Sequence, residues 1–279
     1  MAQASVATLI LNRNLPQVTD KLVEHLKKWN GGLTDIYVIE SGSDKDKLSK
    51  YCTFWANWPE ALENGLRWAR GFNYGLLELE KTGKKYDYYF LVMGDSVFAD
   101  EPTLANMLEI MHMYPKIGIL SPLSPHWSEA KILSPQNPLK CFWLFPHVSW
   151  LFKGTLLEKL RPAEPTIMNY LYDGDNFRGY YDDVEVILRA YQNNFGAAIT
   201  SKASFLEDED ITLQNATVMK TDGQALSRQR MYEEGLVWMK QKYGFKDKGP
   251  FKEWAFNEYS NFMKRNPDYQ NLSISTGKK

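Results

Sequence analysis

The chain begins with two kinds of hydrophobic pattern in alternation. Residues 5–11, "SVATLIL", form an unbroken apolar run rich in β-branched side chains, which suits a strand covered on both faces. The stretch after it places Val18, Leu22, Leu26 and Trp29 at helical spacing, which predicts an amphipathic helix. The order then repeats. "DIYVIE" (residues 35–40) reads as a strand ended by "SGSD", and residues 59–79 read as one long amphipathic helix with Pro59 at its start. Residues 88–93 read as a buried strand, 104–113 as a helix and 117–120 as another strand. This order predicts an α/β fold, a mainly parallel twisted sheet with helices on both faces.

The character changes after Leu120. "SPLSPHWSEAKILSPQNP" carries Pro and Ser without periodicity and reads as a long surface loop. "CFWLF" and "VSWLF" then read as hairpin strands joined around Pro146 and His147. A helix opens at Asp182 or Asp183 and runs to Asn193, after which "AAIT" and "ASFLE" complete the sheet. From Thr217 onward the pattern is helical, with Trp, Tyr, Phe and Met gathered on one side. Two units are therefore expected, a domain over residues 1–216 and a helical extension over 217–279 packing on it. The same apolar side would also suit peripheral contact with a membrane.

Composition narrows the picture. The 279 residues suffice for a sizeable core, and a net charge of −1 lacks the basic footprint of a general nucleic-acid binder. Cys52 and Cys141 are far apart and have no metal-binding spacing, so they read as reduced thiols of a cytoplasmic protein. The N-terminal apolar run has no basic stretch before it and reads as a strand rather than a leader peptide. Aromatic residues make up 14% of the chain, enough to offer flat faces to a sugar or a base.

Candidate chemistry starts where the strand over residues 88–93 stops at Gly94 and a carboxylate, Asp95, follows. Gly-Asp-Ser is ordinary turn chemistry. Strand ends in open α/β sheets are also where ligands bind, so Asp95 is equally a candidate for holding a metal or a phosphate-bearing ligand.

Five stretches in order resemble the GT-A glycosyltransferases of the large inverting class called family 2. They are "LILNRN" (9–14), "VIESGSDKD" (38–46), "NGLRWARGFNYGL" (64–76), "FLVMGDSVF" (90–98) and "YYDDVEVILRAY" (180–191). The resemblance spans roughly residues 4–206 and implies an inverting transfer of a sugar from a nucleotide-diphosphate donor to a hydroxyl of a glycan or lipid-linked acceptor. It places Asn12, Arg13, Glu40 and Ser41 at the base and ribose, Arg70 and Asn73 at the diphosphate, and Asp95 on a Mn²⁺ or Mg²⁺ ion. Asp183 aligns with the family's catalytic base and Asp182 with the acid before it, although either could simply cap the helix. The chain departs from the pattern at Val97, where an Asp-x-Asp motif would have its second acid, and it lacks the family's usual His near "ASFLEDED". Ser96, Glu207 or Asp208 would have to stand in. His126 and His147 read as surface residues near the acceptor side. Two other readings share the fold: the same donor chemistry on an unusual acceptor such as a modified nucleobase, and a non-catalytic domain that only binds the nucleotide-sugar.

Overall fold

A computed structural model describes residues 4–207 and 209–274. Strand β1 (Val6–Asn12), buried at every position, lies between β2 (Thr34–Glu40) and β4 (Tyr88–Met93) and runs parallel to both. Strand β3 (Cys52–Trp55) extends the parallel order beyond β2. The connections between these strands carry helices, α1 (Pro16–Asn30) and the pair α2 (Pro59–Asn64) and α3 (Arg67–Lys81). Helical crossovers keep β1, β2 and β4 pointing one way, so Asn12 sits opposite Glu40 and Leu11 opposite Met93 at a common C-terminal edge. That edge is where an open sheet of this kind offers a ligand site.

The helix expected over residues 59–79 is broken in two. Gly65 takes a φ of +69° and Arg67 a φ of +50°, and the chain turns between them. Gly65 is required twice over, because a Cβ there would also lie 2.4 Å from the Arg13 Nη1. The Ser41 hydroxyl accepts the Leu66 amide at 2.8 Å and so fastens the break to the end of β2.

Beyond β4 come β5 (Ser96–Phe98), α4 (Thr103–Met113), β6 (Ile117–Leu123), β7 (Leu139–Cys141) and β8 (Ser149–Lys153). The hairpin expected from "CFWLF" and "VSWLF" does not form. Strand β8 instead inserts antiparallel between β4 and β6, while β7 pairs elsewhere, with β9 (Gly196–Glu207). The reason is burial: Trp150, Leu151 and Phe152 have no exposed surface, and a strand that apolar on both faces is covered only in mid-sheet. "AAIT" and "ASFLE" belong to the single strand β9, whose pairing with β6 shifts register between Pro122 and Leu123. Its far end pairs antiparallel with β5, setting Glu207 opposite Ser96.

Helices α5 (Gly154–Leu160) and α6 (Asp182–Gln192) follow β8, and α7 (Glu209–Gln214), α8 (Gln224–Tyr243) and α9 (Lys248–Arg265) follow β9. Helix α9 lays Tyr259, Phe262 and Met263 against the main core. Trp238 and Met239 of α8 join Phe251 and Ala255 of α9 in covering Tyr180, Val184 and Leu188. Helix α8 packs only in part, since its Leu226, Tyr232 and Val237 stay exposed. Among the described residues no helix is long and apolar enough to cross a membrane.

Candidate active site

A cleft of about 280 Å³ opens at the shared edge of β1, β2 and β4. Asn12, Arg13 and Ser41 line it from the ends of β1 and β2, and Asp95 lines it from the turn after β4. Asp95 is half-buried, and its Oδ2 accepts the Thr212 hydroxyl at 2.8 Å. Gly94 brings the turn this close, since a Cβ there would lie 2.8 Å from the Leu11 carbonyl oxygen. Asp95 is therefore both a turn residue and a cleft residue.

Three guanidinium groups stand in the same cleft, those of Arg13, Arg67 and Arg178. Burial pushes the pKa of Arg67 down, and the positive charges of Arg178 and Arg13 push it further, while Asp222 offsets them. Arginines crowd together at such a cost where an anion neutralises them. Nε of Arg13 and Nε of Arg67 are buried without a hydrogen-bond acceptor, and the buried Nη1 of Arg178 meets the Asp222 carboxylate at 2.9 Å without hydrogen-bond alignment. Three cations gathered in one cleft suit an anionic ligand.

Sequence reasoning assigned the diphosphate to Arg70 and Asn73, and neither lines the cleft. Arg70 donates from Nε to the Gly174 carbonyl at 2.8 Å and stacks over Phe177, the ring on which Arg67 also stacks. Asn73 is wholly buried: Nδ2 donates to the carbonyls of Ile167 and Tyr172, and Oδ1 accepts the amides of Leu171 and Tyr172. It staples residues 167–172 to α3. Glu40 is equally internal, with no exposed surface, and its carboxylate accepts from Asn12 Nδ2, the Ser43 hydroxyl and the Ser49 amide. Burial raises its pKa, against the pull of those hydrogen bonds. Glu40 shapes the cleft through Asn12 without facing it.

Asp182 and Asp183 begin α6, entered through Tyr181 at a φ of +57°. Neither lines the cleft; Asp183 follows Arg178, which does, by five residues. The two acids differ. Asp182 is buried, its Oδ1 accepts the Asp183 amide at 2.8 Å, and its Oδ2 has no hydrogen-bond partner. Asp183 is half-buried and is the member of the pair that solvent reaches. Burial pushes both carboxyls up, Asp182 well above the usual range with Asp183 beside it, and Asp183 to about 7 despite the hydrogen bond from Val184 and the charge of Lys252.

His147 is no surface residue. It lies in the core among Trp68, Phe72, Trp150 and Tyr172, shares a 2.9 Å hydrogen bond with the Tyr172 hydroxyl, and is kept neutral by burial. His126 is exposed. Trp68, against which His147 packs, forms part of the cleft wall.

The remaining wall comes from residues 209–222, which cross the cleft and place Thr212, Met219 and Thr221 in its lining. A second cavity of about 270 Å³ adjoins it, shares Asp95, Thr212 and Thr221, and adds Glu207 and Asp222. Asp208 lies outside the described residues. Among the described residues no group of three His, Cys, Asp or Glu side chains is arranged to hold a metal ion alone.

No family model matches the sequence, and no curated protein does. Solved structures match the fold. A mannosyltransferase from Pyrobaculum calidifontis, solved with GDP-Man and Mn²⁺, superposes with a TM-score of 0.58 at 14% identity over 98% of this chain and 73% of that one. GalNAc-T7, solved with UDP, GalNAc and Mn²⁺, gives a TM-score of 0.58 at 10% identity over 96% of this chain and 58% of its own. The chain has the GT-A fold.

Proposed function

We propose that the protein is an inverting glycosyltransferase that moves a sugar from a nucleoside-diphosphate donor to a hydroxyl of a glycan or lipid-linked glycan. The observation that carries this reading is the cleft itself, in which three clustered arginines, two of them with a buried Nε that meets no acceptor, share a cavity with Asp95 at the strand ends of a GT-A fold. The similar structures hold GDP-Man or UDP with Mn²⁺, ligands that carry the diphosphate such a cleft would take.

In this reading Asn12 and Ser41 meet the nucleoside, and Arg13, Arg67 and Arg178 meet the two phosphates. The donor set also suits a hard cation. Asp95 lines the cleft, and the pairing of β5 with β9 puts Glu207 beside it in the adjoining cavity. Mg²⁺ and Mn²⁺ are commonly held by one or two carboxylates together with phosphate oxygens, so no ready-made cage is needed. When bound, the cation would neutralise charge gathering on the leaving diphosphate.

The chain's own part in the chemistry is proton transfer. Asp183 accepts the proton of the acceptor hydroxyl as that oxygen forms a bond to the anomeric carbon. The bond from that carbon to the donor phosphate oxygen breaks on the opposite face, and its electron pair leaves with the nucleoside diphosphate. The configuration inverts. A base titrating near neutrality is well matched to this step.

Melting curves with UDP, GDP, dTDP and their common sugar conjugates, each with and without Mn²⁺, test the donor assignment. A ligand at a hundred times its Kd stabilises the folded state by about 2.7 kcal/mol. One nucleotide class is expected to raise the Tm, more so with Mn²⁺, and Asp95→Ala is expected to abolish the Mn²⁺-dependent part alone. If no nucleotide shifts the Tm of the wild type, the donor reading is wrong.

A further inference from the structure

The anchors of residues 209–222 fall on groups that the donor reading gives to the donor, or on the turns next to them. Asp222 Oδ2 lies 2.9 Å from Nη1 of Arg178 and 3.9 Å from Nη2 of Arg67, and its Oδ1 lies 3.1 Å from Nη1 of Arg230. Thr212 donates to Asp95 at 2.8 Å. Asn14, one residue beyond Arg13, donates from Nδ2 to the Val218 carbonyl at 2.7 Å. Lys220 pairs with Asp44 at 2.5 Å, and together with Lys47 holds that carboxyl at about 2.

The fit at Asp222 is incomplete in an informative way. The Arg178 side chain is 9% exposed and that of Asp222 is 19% exposed, so the pair is largely withdrawn from water. Yet Arg178 Nη1 and Asp222 Oδ2 approach without hydrogen-bond alignment, and Nε of Arg67 and of Arg13 meet no acceptor at all. Asp222 and Glu234, which accepts from Nε of Arg178 at 2.9 Å, supply charge to this cluster but leave the two Nε donors of Arg67 and Arg13 unserved. A diphosphate carries more oxygens and more charge.

We propose that Asp222 is a built-in stand-in for donor phosphate. Residues 209–222 form a strap that occupies the cleft in the absence of donor, and the diphosphate binds by displacing Asp222 from Arg67 and Arg178. This inference rests on the donor reading above and adds its regulation. The strap lowers the apparent affinity of every phosphate ligand by the fraction of molecules that are open. A monophosphate competes poorly with Asp222, whereas a diphosphate that also recruits a cation to Asp95 removes two anchors at once. The device thereby favours diphosphates and keeps the arginines paired between turnovers.

Calorimetric titration with inorganic pyrophosphate, UDP and GDP, on wild type, Asp222→Asn and Lys220→Ala, tests this directly. Asp222→Asn keeps the side-chain shape and removes the competing charge, so it is expected to tighten pyrophosphate binding about ten- to a hundredfold, the worth of about one charge-assisted hydrogen bond. Lys220→Ala frees the strap without touching the arginines and is expected to tighten it by a smaller factor. Hydrogen exchange on the wild type supplies a measure independent of any variant: saturating pyrophosphate is expected to speed exchange of amides 215–223. Unchanged or weaker binding by folded Asp222→Asn, or slower exchange in that segment, overturns the strap while leaving the donor reading intact wherever the wild type binds UDP or GDP. Absence of binding by all three proteins to all three ligands overturns both.

Discussion

Asp183→Asn is expected to lower turnover by about two to four orders of magnitude, the usual contribution of a positioned general base, while donor affinity stays at the wild-type value. The amide keeps the size of the side chain and can still accept the Val184 amide, which Asp183 Oδ1 accepts at 2.7 Å. It cannot take a proton. Since burial raises the Asp183 carboxyl to about 7, the working, ionised form fills only as pH rises through neutrality. The sign follows: kcat/KM is expected to climb with pH about tenfold per unit below that point and level off above it. A base in the ordinary carboxylate range would give a limb several pH units lower. Asp182→Asn is expected to cost far less activity, because Asp182 is buried and its Oδ1 bond from the Asp183 amide survives in Asn. Steady-state rates of both variants from pH 5 to 9 decide the matter. Full activity in Asp183→Asn, or a larger loss in Asp182→Asn, refutes the assignment of the base.

The second large effect concerns the arginines. Arg67→Gln combined with Arg178→Gln is expected to weaken nucleoside diphosphate binding by at least about a hundredfold, since each charge-assisted hydrogen bond is worth about 1.5–3 kcal/mol. The losses need not add, because both side chains share Asp222 and would share the phosphates. Affinity for the parent nucleoside, measured alongside by calorimetry, is expected to be unchanged. The ratio of the two affinities isolates the phosphate contribution from general damage to the cleft. A diphosphate preference that survives in the double variant removes the arginines from the donor site. Arg70→Gln serves as the contrast, since Arg70 contacts Gly174 and Phe177 and does not line the cleft.

Sequence pattern carried the first half of the fold well, because β1, α1, β2 and β4 are each specified by a local hydrophobic period. It failed where long-range partners decide. Strand β8 reads like half of a hairpin, yet Trp150, Leu151 and Phe152 find their neighbours in β4 and β6. Of the residues assigned to the donor, Asn12, Arg13, Ser41 and Asp95 were legible as cleft residues because strand ends carry ligands in open sheets, and they do line one cleft. Glu40 and Asn73 look identical to ligand residues in a sequence, since a buried polar side chain is needed as much for stapling backbone as for gripping substrate. Arg67 was within reach: the Asn64-Gly65 pair is a breaker signal, and a helix stopped there puts the next Arg in a turn. Nothing local announces Asp222 or Thr212. Thr212 reaches the cleft and Asp222 the adjoining cavity only because the chain returns over them after β9, and Met219 and Thr221, in the extension expected to pack on the core, supply part of the cleft wall.

The most direct test of the account is a crystal structure of the full chain grown with the nucleoside diphosphate that raises its Tm and with Mn²⁺. The account predicts the base over Asn12 and Ser41, the phosphates between Arg67, Arg178 and a cation on Asp95, and Asp222 withdrawn from the arginines. A nucleotide bound elsewhere on the molecule, or phosphates that leave the Arg67–Asp222–Arg178 cluster untouched, would contradict it.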